Sequence, residues 1–228
     1  MRLVIFGANG GTGRHLTRQA LDAGHRVRAV TRRPRAFPIT HRRLDVLAGD
    51  VYDADAVAAA VDGADAVLST LGVAFSRKPI TTYSTGVANI IAGMRTHGVA
   101  RIVAVSSSAV EPHLHADGGF LLNRVIQPLV TGTIGKTTYT DMREMEERLA
   151  ASGLEWTVLR PSRLFDTDAV SDYALRERYA DGVYTSRNDL AACLLAQATD
   201  PAWVRNRVAV WTTEGIPTMW QVLRAEPA

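Results

Sequence analysis

The stretch Arg2-Leu3-Val4-Ile5-Phe6-Gly7-Ala8-Asn9-Gly10-Gly11-Thr12-Gly13-Arg14 decides the fold. A short apolar run breaks into clustered glycines and passes at once into a pattern with Leu16, Ala20 and Leu21 on one side: strand, tight turn, helix. Each glycine answers a physical demand. Gly7 takes the positive φ needed to leave the strand, Gly10 lets backbone approach a pyrophosphate, and Gly13 lets the helix pack close to the sheet. The spacing is Gly-x-x-Gly-x-x-Gly with Gly11 extra. The N–H groups and positive dipole end of the helix then face an anion. This is a dinucleotide-binding turn, and Gly7, Asn9, Gly10, Gly11, Thr12 and Gly13 are its candidate ligands.

Working outward, His25 to Thr31 reads as a second strand that ends in Arg32-Arg33-Pro34-Arg35. A fold preferring NAD places Asp or Glu near this point to accept from the ribose 2′-OH. Arginines stand there instead, and their planar donors suit a 2′-phosphate, so Arg32 and Arg33 predict NADPH over NAD. Arg43 to Val51 is a third strand running into Gly49-Asp50-Val51, with Asp50 placed to accept from an adenine amino group and Val51 to pack on the ring. Asp53 starts the next helix. Asp65 to Gly72 is a fourth, apolar strand, and its end at Leu71-Gly72 lies where ligands bind in parallel sheets.

Ile80 to His97 carries one buried helical stripe, and Arg101 to Ser108 is a fifth strand ending in Ser106, Ser107 and Ser108, potential donors to a carbonyl substrate. Residues 109–136 are irregular and predict a loop and short helix flanking a substrate pocket, together with 161–186. A helix over Thr138–Ser152, a strand at Trp156–Pro161, a short strand at Gly182–Ser186, a helix capped by Ser186 or Asn188, and a strand at Asn206–Trp211 complete the chain. Tyr139 with Lys136 or Asp141 is a possible proton relay. The alternation predicts an α/β chain, one doubly wound, mostly parallel sheet of about seven strands over residues 1–228 without a domain break.

The composition restricts the function. With 46% hydrophobic and 21% charged residues, a globular core is expected. A net charge of +3 without a basic run argues against nucleic acid, and no apolar run reaches the ~20 residues of a membrane span. A first strand at residue 2 leaves no space for a signal peptide, so a cytoplasmic protein is expected. No helix shows a large second apolar stripe, which favours a monomer. The single cysteine, Cys193, reads as a buried thiol. Gly135-Lys136-Thr137 ends a run like a phosphate loop, but Val130 replaces its first glycine. His113, His115 and Asp117 lack a further ligand, so no metal is expected.

Several segments together resemble the atypical short-chain dehydrogenase/reductases, in the NAD(P)H-binding branch of flavin reductase/biliverdin-IXβ reductase-like and NmrA-like proteins. They are the opening turn, Gly49-Asp50-Val51, Gly63-Ala64-Asp65-Ala66-Val67, Ala88-Asn89-Ile90-Ile91, Ser152-Gly153-Leu154 through Arg160-Pro161, and Ser186-Arg187-Asn188-Asp189-Leu190-Ala191. The resemblance implies a Rossmann fold with the pyrophosphate on Gly7, Gly10, Thr12 and Gly13, and the 2′-phosphate on Arg32 and Arg33. It places adenine on Asp50 and Val51, and Leu71 and Gly72 on the adenosine side. Ser107 would lie near the nicotinamide, with Ser106 beside it, and Pro161 and Ser162 near the carboxamide. One departure stands out: aligned on Ser152-Gly153-Leu154, the Tyr-x-x-x-Lys of typical members falls on Thr138 and Met142, with Tyr139 about 100° round the helix. The expected activity is NADPH-dependent reduction of a small conjugated, flavin- or quinone-like acceptor, with Ser107 and Tyr139 as the candidate catalytic residues. A redox sensor that binds NADP(H), or an isomerase or cyclase, is the alternative.

Overall fold

The structure, a computed structural model, describes residues 1–76, 78–111 and 135–217. The first strand, β1 (Arg2–Phe6), turns into α1 (Gly11–Asp22) and returns as β2 (Arg26–Thr31) and β3 (Leu44–Ala48). Then come α2 (Ala54–Val61), β4 (Ala66–Ser69), α3 (Thr82–Thr96) and β5 (Arg101–Val105). The chain resumes with α4 (Lys136–Ala150), β6 (Glu155–Pro161), β7 (Arg163–Phe165), β8 (Tyr173–Glu177), β9 (Tyr184–Ser186), α5 (Arg187–Gln197) and β10 (Asn206–Thr212).

Eight strands form one sheet in the order β3-β2-β1-β4-β5-β6-β10-β8, and all pair in parallel except β8, which runs antiparallel to β10. Alternation along β1 explains the layering. Leu3 and Ile5 pack with Leu16, Ala20 and Leu21 of α1 and Leu190 and Leu194 of α5. Val4 and Phe6 pack on the other face with Val57 of α2, Ile90 of α3 and Met145 of α4. Side chains of a strand point alternately to either face, so a stretch buried on both must be apolar. β1 is apolar and buried from Leu3 to Phe6, with only Arg2 exposed.

The strand order reverses between β1 and β4: the chain winds outward to β2 and β3, then returns to the other side of β1. A crevice opens at the carboxyl ends where the winding reverses. The expected seven strands become eight in the main sheet, because Tyr173–Glu177 supplies an antiparallel edge that the sequence reading missed. The short strand near Tyr184 belongs elsewhere, pairing with β7 in a separate two-stranded sheet. Residues 112–134, which hold the predicted loop, the phosphate-loop look-alike up to Ile134, and His113, His115 and Asp117, lie outside the described residues.

A buried ion-pair network ties α4 to the late strands. Arg160 of β6 donates from Nε and Nη2 to Glu146 at 3.0 and 2.6 Å and from Nη1 to Glu111 at 2.9 Å, while Arg207 of β10 adds a 2.9 Å bond to Glu146. Glu146 is only 2% exposed, so its charge depends on these partners. Cys193 is fully buried, and burial pushes its thiol up to about 12. Among the described residues no helix is long and apolar enough to cross a membrane.

Candidate functional site

The turn after β1 is built against β4 with no room to spare. Gly7 has φ +76°, and a Cβ there would lie 2.5 Å from the Thr70 carbonyl oxygen. Gly13 is tighter: its Cβ would lie 2.3 Å from the Gly7 carbonyl oxygen and 2.8 Å from the Ala8 backbone. The Gly10 N–H donates to Gly7 O at 3.0 Å and the Arg14 N–H to Gly10 O at 2.9 Å, which closes the turn onto the helix. Among the described residues no side chain caps α1, and no acidic residue stands in its first turn. The first N–H groups of α1 therefore keep their capacity for an external anion.

A cavity of about 700 Å³ runs over this turn. At one end it is lined by Arg32, Arg33, Asp50, Val51, Leu71 and Gly72, in the middle by Gly7, Asn9, Gly10, Gly11 and Thr12, and at the other end by Ser106, Ser107, Tyr139, Pro161 and Ser162. The candidate cofactor and catalytic residues all line it except Gly13, which sits behind the turn, whereas Ser108, Lys136 and Asp141 do not. No ion pair among the described residues engages Arg32 or Arg33, and both are exposed. Val51 is fixed from below by a 2.8 Å bond from Asn89 Nδ2 to its carbonyl. Gly86 of α3 comes close beneath Val51 and Leu71, since a Cβ there would lie 3.1 Å from each side chain.

The far end is made of hydroxyls in three different states. Ser107 Oγ accepts the Ala109 N–H at 3.2 Å and caps the single helical turn Ser108–Val110, and its own proton has no acceptor among the described residues. Ser162 Oγ is spent on the Gly182 carbonyl at 2.8 Å, and its N–H donates to Thr185 Oγ1 at 2.9 Å, so this residue joins the small sheet to its neighbour. Ser106 Oγ and Thr138 Oγ1 are buried without a hydrogen-bond partner among the described residues, and both residues line the cavity.

Tyr139 stacks edge-on to Phe75 with ring centroids 6.0 Å apart, and burial raises its phenol above the ordinary value, against a smaller lowering by Arg163. It therefore stays protonated at neutral pH. Asp141 takes no part in a relay with it: the carboxylate accepts the N–H groups of Tyr83 at 2.8 Å and Ser84 at 3.1 Å and so caps α3 from a neighbouring helix. Met142 lines the cavity one turn beyond Thr138. Thr138 and Met142 thus bring a buried hydroxyl and a thioether to the cavity wall.

Among the lining residues that the sequence reading did not name as ligands are Thr138 and Arg187. The only signal for Arg187 was its place beside the cap Ser186, whose Oγ accepts the Asp189 N–H at 3.0 Å.

A doubly wound sheet with a glycine turn at its reversal point and an uncapped helix end facing a long cavity defines a dinucleotide-binding protein. The chain belongs to the NAD(P)H-binding family, whose sequence profile matches residues 7–201. It is 33% identical over 120 residues to a 3 beta-hydroxysteroid dehydrogenase/Delta 5-->4-isomerase of Mycobacterium tuberculosis, covering 48% of this chain and 32% of that protein. It is also 31% identical over 115 residues to a 2-alkyl-3-oxoalkanoate reductase of Stenotrophomonas maltophilia, covering 48% of this chain and 34% of the relative. The match thus spans about a third of the length of these curated relatives.

Among solved structures, a short-chain dehydrogenase/reductase from Veillonella parvula in complex with NADP superposes with TM-score 0.77 at 18% identity, covering 93% of this chain and 95% of that one. ChuY, an anaerobillin reductase from Escherichia coli O157:H7, gives TM-score 0.70 at 23% identity over 96% of this chain and all of the other. These two establish the shared fold.

Proposed function

We propose that the protein is an NADPH-dependent reductase that delivers hydride to a small conjugated, flavin- or quinone-like acceptor. The observation that carries this reading is the continuity of one cavity from Arg32 and Arg33, across the glycine turn, to the serines that end β5. Its length and its order of groups suit a dinucleotide phosphorylated on the adenosine ribose. The uncapped start of α1 would hold the pyrophosphate, Arg32 and Arg33 the 2′-phosphate, and Asp50 with Val51 the adenine. Pro161 and the backbone of Ser162 would border the carboxamide. NADPH, when bound, supplies the hydride.

The chain itself would then orient and shield. Ser107 keeps a proton to donate to an acceptor oxygen, and Tyr139, a protonated phenol, can return a proton to the product alongside solvent. With Thr138 and Met142 where a tyrosine and lysine would form the usual relay, catalysis rests mainly on holding donor and acceptor together. Acceptors whose reduced form is already stabilised by conjugation need no more.

The test is NADPH oxidation against a panel of flavins and quinones, with Ser107→Ala as the site variant. Turnover that falls in the variant while NADPH affinity is kept supports the reading. Tight NADP binding with no turnover on any acceptor would overturn it in favour of redox sensing.

A further inference from the structure

Gly11 is the glycine that the turn itself does not explain. Outside its own helix and chain neighbours, the three heavy atoms nearest to a Cβ at Gly11 would all belong to Arg187, with Cδ at 2.8 Å, Nε at 2.9 Å and Cζ at 3.9 Å. Arg187 is the first residue of α5, yet its side chain lies across the first residue of α1. It also lines the cavity. A cation therefore rests on the helix end that is left uncapped for an anion.

The guanidinium is only partly engaged. Its Nη1 donates to Asp166 Oδ2 at 2.9 Å, with side-chain exposures of 27% for the arginine and 73% for the aspartate. Nε and Nη2 carry the remaining directed donors of the fork and have no acceptor among the described residues. Such a mostly solvated pair is weak, so it orients the arginine without consuming it. A fork with free donors beside helical N–H groups is built for a doubly charged phosphate group.

We propose that Arg187 is a clamp for the pyrophosphate of the bound nucleotide, held in register by Asp166, and that Gly11 is glycine to give the arginine its path across the turn. The ligand's identity rests on the NAD(P)H reading of the cavity. The clamp is indifferent to the 2′-phosphate, which lies at the Arg32 and Arg33 end, and that indifference separates it from those two residues.

The experiment measures the affinity of the full chain for NADPH and for NADH by fluorescence titration. Arg187→Met keeps the stem and removes the fork. It should weaken both nucleotides by a similar factor, about tenfold, leaving their ratio as in the wild type. Arg187→Lys should recover part of the loss, and Asp166→Asn, which keeps an acceptor oxygen for Nη1 and removes a negative charge beside the phosphate, should bind at least as tightly as the wild type. Gly11→Ala displaces the arginine, so it should weaken binding in the wild-type background and add little to Arg187→Met.

Unchanged affinities in a folded Arg187→Met, a loss confined to NADPH, or a full additional loss from Gly11→Ala on top of Arg187→Met would each overturn the clamp. If Arg187→Met does not fold, the Arg187→Lys and Gly11→Ala titrations decide, and wild-type affinity for both nucleotides in the two variants refutes it. A wild-type protein that bound neither nucleotide would refute the cofactor reading and the clamp with it. Binding by the wild type with no effect at Arg187 removes the clamp alone.

Discussion

Replacing Gly13 by alanine sets two known effects against each other. Within a helix, glycine to alanine is favourable by up to about 1 kcal/mol, since alanine loses less backbone entropy. At Gly13 the new Cβ would stand 2.3 Å from the Gly7 carbonyl oxygen and 2.8 Å from Ala8 Cα, whereas ordinary contact begins at 3.4 Å. These are backbone atoms, so no side chain can swing aside. The helix must retreat by about an ångström or the turn must open, and either weakens the bonds from Gly10 N–H to Gly7 O and from Arg14 N–H to Gly10 O. Overpacking of this kind costs about 1–3 kcal/mol, sometimes more, and outweighs the propensity gain. With about 1–2 kcal/mol of net cost left after the propensity gain, the melting temperature should fall by about 2–8 °C, at roughly 2–4 °C for each kcal/mol. Because the N–H groups of α1 move with the helix, NADPH affinity should fall by about tenfold or more. Thermal melting by circular dichroism and an NADPH titration read the two effects. A rise in melting temperature with unchanged affinity would refute the claim that Gly13 is required by close packing of helix on turn.

Thr138→Val removes a buried hydroxyl that has no partner among the described residues and keeps the shape. It should stabilise the ligand-free protein by about 1 kcal/mol, and a lower melting temperature would show that the hydroxyl is satisfied. Glu146→Gln strips the charge that faces Arg160, which is 3% exposed, and should cost about 3 kcal/mol in urea unfolding, with Glu111 still holding one arm; a loss below about 1 kcal/mol would contradict the network. Glu111 is held down to about 2, chiefly by the Arg178 guanidinium with help from Arg160 and Tyr179, against a usual 4.5. A carboxylate depressed in the folded state stabilises above its unfolded value and loses that contribution as it protonates. The stability difference between wild type and Glu111→Gln should therefore shrink as pH falls from 4.5 toward 2, and a difference constant with pH would count against the pairing.

Much of this architecture can be read from the chain because its physical demands are local. The apolar β1, buried on both faces, and the glycines that follow it are each required within a few residues, as are Asp53 and Ser186 as helix caps. The cavity's lining was also legible, since residues at the carboxyl ends of parallel strands converge wherever the sheet reverses. What could not be read depends on partners far along the chain. β8 is a half-exposed edge strand whose place is set only by pairing Tyr173–Glu177 with Val208–Thr212. Asp141 looks like a relay member in sequence, but its carboxylate caps a helix that begins 59 residues earlier, at Thr82. Arg187 reads as an ordinary first residue of a helix until its stem is seen over Gly11.

Arg32 and Arg33 are proposed to turn a general dinucleotide cavity into one for NADPH. Paired titration of wild type and Arg32→Glu with NADPH and NADH is the most direct test. The wild type should bind NADPH about tenfold or more tighter than NADH, with the preference lost or reversed in Arg32→Glu because a carboxylate repels the 2′-phosphate. Equal affinities in the wild type, or a preference untouched by Arg32→Glu, would contradict it.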